Sequence, residues 1–176
     1  ITSDVAEAYF TTRATQFDEI AQLFNKPKNL VKTVEEMMNK NLSLQKQIEA
    51  LKLEKVNQIS KEVEAKVIEK KGVHFVAEKL NLDNDGIKQI AFQLKAKYNS
   101  FVGVFGGDFE GKSSLTIIFS EAYAKEKGLN AGSIIREAAK FIKGGGGGQP
   151  FYATAGGADA SGLKAGMKFI ESTIFG

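Results

Sequence analysis

The chain contains no cysteine, no tryptophan, a single histidine and two prolines. Without thiols there are no disulfides, no thiolate catalysis and no Cys/His zinc cage. The one histidine, His74, alternates with Val73 and Phe75 in a strand-like run and has no Ser, Cys or second His arranged around it, so it reads as structural rather than as part of a triad or metal site. Also missing is any apolar run of the roughly 20 residues that span a bilayer. The N-terminal ITSDVAEAYF lacks a basic segment followed by a hydrophobic one. The expectation is a soluble, cytoplasmic protein whose sequence, having no initiator Met, starts mid-chain.

What is present is globular in composition: of 176 residues, 43% are hydrophobic and 26% charged, enough for one core plus an appended element. The net charge of +3 is unevenly placed, with four acids and one base in residues 1–24 against eleven Lys and seven Glu in residues 25–71. So small an excess permits nucleic-acid binding without requiring it.

From Pro27 to about Lys71 neither Gly nor a further Pro interrupts a stretch rich in Lys, Glu, Leu, Gln and Met, all good helix formers. Asn25 is the expected cap, with Pro27 in the first turn where its missing N–H is harmless. Leu30, Val34, Met37, Asn41, Leu44, Ile48 and Leu51 alternate steps of four and three, a heptad seam with Val34, Asn41 and Ile48 at a. Past Leu51 the apolar stripe moves to Val56, Ile59, Val63 and Val67, so the helix either shifts register or bends onto a new partner. The seam has two readings: packing within the monomer, or a dimer.

Gly72 is expected to end this helix and open a short strand, VHFVAEKL. A helix from Ile87 to Tyr98 follows, with apolar Ile87, Ile90, Ala91 and Leu94, capped by Asn84 or Asp85. SFVGVFGGDFEGKSSLTIIFS reads as two strands about a turn, and the chain then runs through a second helix, a Gly loop and a final helix carrying Leu163, Met167, Ile170 and Ile174. The fold class is therefore α/β: a long helical segment followed by a compact domain with a small mixed sheet of three to five strands and a Gly-rich loop. Three regions result: residues 1–24, the helical segment 25–71 and the globular part 72–176.

Two motifs look like chemistry and fail on context. GGDFEGKS, Gly106 to Ser113, satisfies the phosphate-loop pattern, but the β-branched series Leu115 to Phe119 follows where a helix must start, so the segment is a hairpin turn. Asn81, Asp83, Asp85 and Gly86 resemble half a calcium loop, yet Phe92 stands where the bidentate Glu is needed. No cofactor and no metal are expected.

The helix before the Gly run is more informative. Arg136, Lys140 and Lys143 share a face at i, i+4 and i+7, beside a buried one of Ile135, Ala139 and Ile142. They lead into Gly144, Gly145, Gly146, Gly147 and Gly148, bare backbone that a phosphate or ribose can approach closely. A solvated face whose cations offset the helix dipole is the competing reading. Lys164 and Lys168 form a second one-face pair, with Gly162 and Gly166 placed for close helix packing.

The pattern GGGGGQP followed by ATAGGAD resembles the C-terminal region of bacterial alanyl-tRNA synthetase. The upstream Gly-Lys turn, hydrophobic strand and second helix stand in the family's order, the heptad helix beginning near Pro27 matches in place, and ITSDVAEAYF resembles the exit from the editing domain, so the resemblance spans essentially the whole chain. It implies a noncatalytic tRNA-binding appendage that touches the outer corner of alanine-accepting tRNA and helps aminoacylation and editing act on one bound molecule, with a helical part that supports a homodimer. The remainder of the synthetase would lie upstream. RNA contact is then expected from the Gly run and from Arg136, Lys140, Lys143, Lys164 and Lys168. Where relatives carry Arg after the glycines this chain has Gln149, and Phe151 and Tyr152 replace a more polar stretch, leaving amide hydrogen bonding or stacking in place of a cation. The alternatives are a pure coiled-coil assembly module, or the nucleic-acid-binding part of a DHH-type phosphoesterase, whose catalytic Asp/His clusters are absent.

Overall fold

The computed structural model describes residues 3–176, so Ile1 and Thr2 of the ITSDVAEAYF stretch lie outside the described residues. The chain divides into two compact units, Ile1–Ala50 and Leu51–Gly176. The first contains helix α1 (Ser3–Leu23) and the start of helix α2 (Leu30–Glu64). Asn25 and Lys26 adopt left-handed backbone between them, and the Asn29 side chain accepts from Lys32 N–H at 3.0 Å. The cap of α2 is thus Asn29, not Asn25, and Pro27 belongs to the connection.

The second unit is built on a six-stranded sheet in the order β1-β2-β3-β4-β6-β5. Its strands are β1 (Ile68–Lys70), β2 (Val73–Leu80), β3 (Phe101–Phe109), β4 (Lys112–Phe119), β5 (Gly144–Gln149) and β6 (Tyr152–Gly157). Only β2 and β3 pair in parallel, joined through helix α3 (Asn84–Lys97). Helices α4 (Glu121–Lys127), α5 (Ala131–Ala138) and α6 (Leu163–Phe175) complete it, with short 3₁₀ turns at Ala139–Ile142 and Ala160–Gly162.

Period-two alternation in the strands sends side chains to two cores. Val102, Val104, Leu115, Ile117, Phe119, Ala153 and Ala155 meet α4, α5 and α6, while Phe101, Phe105 and Ile118 meet α3 and the end of α2. Gly103 sits between the two phenylalanines because a Cβ there would stand 2.8 Å from the Phe105 ring and 3.0 Å from the Phe101 ring.

The displaced stripe of α2 has found its partner. Val56 and Val63 are buried against α3, with Ile59 and Val67 packed beside them. Ser60 donates to the Gln93 side chain at 2.9 Å, and Lys97 pairs with Glu64.

Further expectations change, the sheet itself having six strands rather than three to five. The helix stops at Glu64, and Gly72, with Lys71, forms the two-residue turn of a β1–β2 hairpin, both at positive φ as a type I′ turn requires. The Gly run is not a loop but the edge strand β5, paired along its length with β6. Asp83, rather than Asn84 or Asp85, caps α3 by accepting from Gly86 N–H at 2.9 Å. GGDFEGKS is the expected hairpin: Phe109 faces Lys112, and Glu110 and Gly111 turn the chain at φ 51° and 75°.

Candidate nucleic-acid interface

The five glycines of β5 fall into two groups by what a side chain would meet. A Cβ on Gly144, Gly146 or Gly148 would collide with the backbone carbonyl oxygens of Gly156, Thr154 and Tyr152 on β6. Those three are glycine because the strands leave no room. At Gly145 a Cβ would find nothing within 4 Å, and at Gly147 only the Arg136 guanidinium, at 3.8 Å and 3.9 Å. Neither residue has positive φ. Packing and backbone conformation therefore account for alternate glycines only, and 145 and 147 form bare backbone on an exposed sheet edge.

The three cations expected on one helical face are carried by three local geometries. Arg136 lies in the last turn of α5, Lys140 in the 3₁₀ turn, and Lys143 at its end with φ 50°. The buried partners Ile135, Ala139 and Ile142 are as expected, each no more than 1% exposed. The charges are not equally available. Lys140 pairs with Glu137, and Lys143 pairs with Asp159 at 2.9 Å. Arg136, Lys164 and Lys168 are exposed and make no ion pair among the described residues.

Asp159 holds its position through its own carboxylate. Hydrogen bonds from the Ser161 hydroxyl, from Lys143 and from the Ser161 N–H bring its pKa from 3.8 to about 2. Gly162, ending the 3₁₀ turn before α6, and Gly166 within α6 do what their spacing required: a Cβ on Gly162 would strike the Phe141 carbonyl, and one on Gly166 would stand 2.8 Å from Leu115 Cδ1.

Beside Gln149 lies a feature that the periodicity did not expose. Phe92 on α3 meets Tyr152 with ring centroids 5.1 Å apart, and Lys95 stands over the Phe151 ring at 4.5 Å. Burial, and then the charge of Asp85, raise the Tyr152 pKa. The available signal was Phe92 itself, an aromatic residue off the Ile87, Ile90, Ala91, Leu94 stripe.

His74 stacks on Tyr98 at 4.4 Å with its Nδ1 3.3 Å from the Ser100 carbonyl, a packing role. Lys112 opens a strand rather than a helix. Among the described residues no cluster of His, Cys, Asp or Glu could hold a metal ion, and no helix is long and apolar enough to cross a membrane.

The second unit is thus an α/β domain, a mixed six-stranded sheet with a glycine edge strand and helices on both faces. The DHHA1 domain family matches residues 70–175, and the chain belongs to it. Along nearly its whole length it is similar to alanine–tRNA ligases: 37% identical to that of Christiangramia forsetii over 174 residues, 99% of this chain and 20% of the relative. The ligase of Cytophaga hutchinsonii is 36% identical over 164 residues, 93% of this chain and 19% of the relative. The chain thus spans about one fifth of the length of these curated relatives. Among solved structures it shares its fold with the C-Ala domain of Aquifex aeolicus alanyl-tRNA synthetase, with a TM-score of 0.56 and 21% identity over 63% of this chain and 99% of that one. A fold likeness also extends to the DHH domain of a member of the s1p family of ribosomal proteins, with a TM-score of 0.50 and 14% identity over 69% of this chain and 30% of that one.

Proposed function

We propose that the chain is the noncatalytic tRNA-binding appendage of a cytoplasmic alanine–tRNA ligase. On this reading it contacts the outer corner of alanine-accepting tRNA and keeps the molecule engaged while aminoacylation and editing act on it. The observation that carries the reading is the pair Gly145 and Gly147, glycines that the fold does not need, on an open strand edge with the Arg136 guanidinium alongside. Bare backbone lets a ribose–phosphate chain come within hydrogen-bond distance of the strand, and an arginine beside it supplies a bidentate phosphate partner. Lys164 and Lys168 extend the cationic surface, with Lys140 and Lys143 available once released from Glu137 and Asp159. Recognition of this kind reads RNA shape through phosphate and ribose.

A filter-binding titration with tRNA at two salt concentrations tests it. Affinity is expected to fall as salt rises, because each neutralised phosphate releases counterions. No binding even at low salt would sink the proposal.

A second reading, self-association, is favoured by the exposure of the heptad seam. Met37, Leu44, Ile48 and Leu51 are 51%, 47%, 54% and 64% exposed, and Asn41 is exposed with them, while Leu30 and Val34 are half-buried. An apolar stripe so placed gains by pairing with a second copy. Sedimentation of the wild type against Leu44→Glu decides: a monomer in both cases removes the dimer.

A further inference from the structure

The aromatic cluster at the β5–β6 turn has the build of a binding surface. Phe92 is 38% exposed, which alone is unremarkable, but what surrounds it is held rigidly. The Phe119 N–H donates to the Phe151 carbonyl at 2.8 Å and the Ala131 N–H to the Pro150 carbonyl at 2.9 Å, fixing the backbone that carries Tyr152. Lys95 covers the Phe151 ring and is itself tied to Glu121 at 3.3 Å. Tyr152 backs Phe92 at 52° to its plane. Lys95 also stands 5.8 Å from the Phe92 ring centroid, and the remainder of that ring is the part exposed to solvent.

The neighbours describe the ligand. Gln149 stands opposite Tyr152 in the β5–β6 register, and Gly147 lies two residues along the same strand. Lys88 is exposed one turn before Phe92 and makes no ion pair among the described residues. Asp85, a turn earlier still, is the nearby acid and is the charge felt by Tyr152. One partly open aromatic ring, the two cations Lys88 and Lys95, one amide and bare backbone are too small and too polar for a protein partner. They fit a nucleotide: the base on the ring, the phosphate on the ammonium, and the amide at a base edge.

We propose that Phe92, backed by Tyr152, stacks on one unpaired base of the bound RNA, with Lys88 against the adjoining phosphate. This inference rests on the RNA-binding reading above and adds to it a requirement for an unstacked base.

The chain has no tryptophan, so Phe92→Trp introduces a single indole at the site. Its emission is followed during titration with tRNA, with an RNA hairpin carrying an unpaired loop, and with a blunt RNA duplex. The expected result is quenching by tRNA and by the hairpin that tracks the filter-binding isotherm, and no quenching by the duplex. Phe92→Leu, which keeps an apolar side chain against Tyr152, is expected to weaken tRNA binding roughly 5- to 150-fold, the range for loss of one base stack. Its salt dependence should stay as in the wild type, since no phosphate contact is lost. Binding without any change in emission, quenching by the duplex equal to that by the hairpin, or wild-type affinity in a folded Phe92→Leu would each overturn the stacking site while leaving RNA binding intact. Failure of the wild type to bind any of the RNAs overturns both. Should circular dichroism show Phe92→Leu unfolded, the indole emission decides alone.

Discussion

Arg136 and Gly147 lie side by side: a Cβ on the glycine would stand 3.8 Å from the arginine Nε. That distance is ordinary van der Waals contact, so an alanine fits at 147, and at 145 it meets nothing within 4 Å. Gly145→Ala and Gly147→Ala are therefore expected to change stability by no more than about 0.5 kcal/mol, as surface substitutions do. Gly146→Ala, whose methyl would strike the Thr154 carbonyl, should cost about 1–3 kcal/mol through forced backbone movement. Urea unfolding of the three variants checks this split. In tRNA binding the order should reverse for the folded proteins, with 145 and 147 the sensitive positions.

The cations should separate by their partners. Arg136→Ala removes an unpaired charge beside the glycine strand and is expected to reduce the slope of log K against log salt by about one phosphate's worth, close to 1. Lys140→Ala removes a charge already engaged by Glu137 and should change the slope less. Equal slopes for the two variants and the wild type would place the RNA elsewhere.

Helix α2 carries two apolar stripes with different fates, and mutation should tell them apart. Val63 is 2% exposed against α3, whereas Leu44 is 47% exposed. Val63→Ala deletes two buried methyl groups and should destabilise the chain by about 2 kcal/mol, the transfer term plus the cavity left behind. Leu44→Ala at low protein concentration should stay within about 0.5 kcal/mol of wild type. Denaturant midpoints measured at one dilute concentration make the comparison.

That contrast also marks what could be read in advance. The shift from Leu51 to Val56 is visible as a break in heptad spacing, because burial on a new surface must change which side of the helix is apolar. The Glu110–Gly111 hairpin was legible for a similar reason, since Leu115 to Phe119 have strand chemistry that overrides a phosphate-loop pattern. Strand β1 was hidden because Ile68-Glu69-Lys70 continues a Lys/Glu-rich run of helix formers, and only pairing with Val73, His74 and Phe75 makes it a strand. The Gly run was hidden too: glycine has little strand preference of its own, and its extended state is set by β6. At the candidate site the basic residues were legible but their pairing was only half so. Glu137 is three residues from Lys140 in sequence, while Asp159 reaches Lys143 only through the fold.

The Lys143–Asp159 pair joins the end of the Gly-strand entry to the turn before α6, and its pH dependence has a definite sign. The folded-state pKa of Asp159, about 2, lies below its ordinary 3.8. A depressed carboxyl stabilises the fold fully above the unfolded value, and that contribution disappears as pH falls through the folded one. The Asp159 carboxyl carbon followed by NMR should titrate near 2, and the stability difference between wild type and Asp159→Asn should shrink between pH 4 and pH 2. At neutral pH the same variant releases Lys143, while its amide oxygen can still accept from the Ser161 N–H as the carboxylate does at 3.0 Å. If Lys143 is held in reserve for phosphate, Asp159→Asn should bind tRNA more tightly and with a steeper salt dependence than wild type. Unchanged affinity and slope would assign the pair to holding the turn alone.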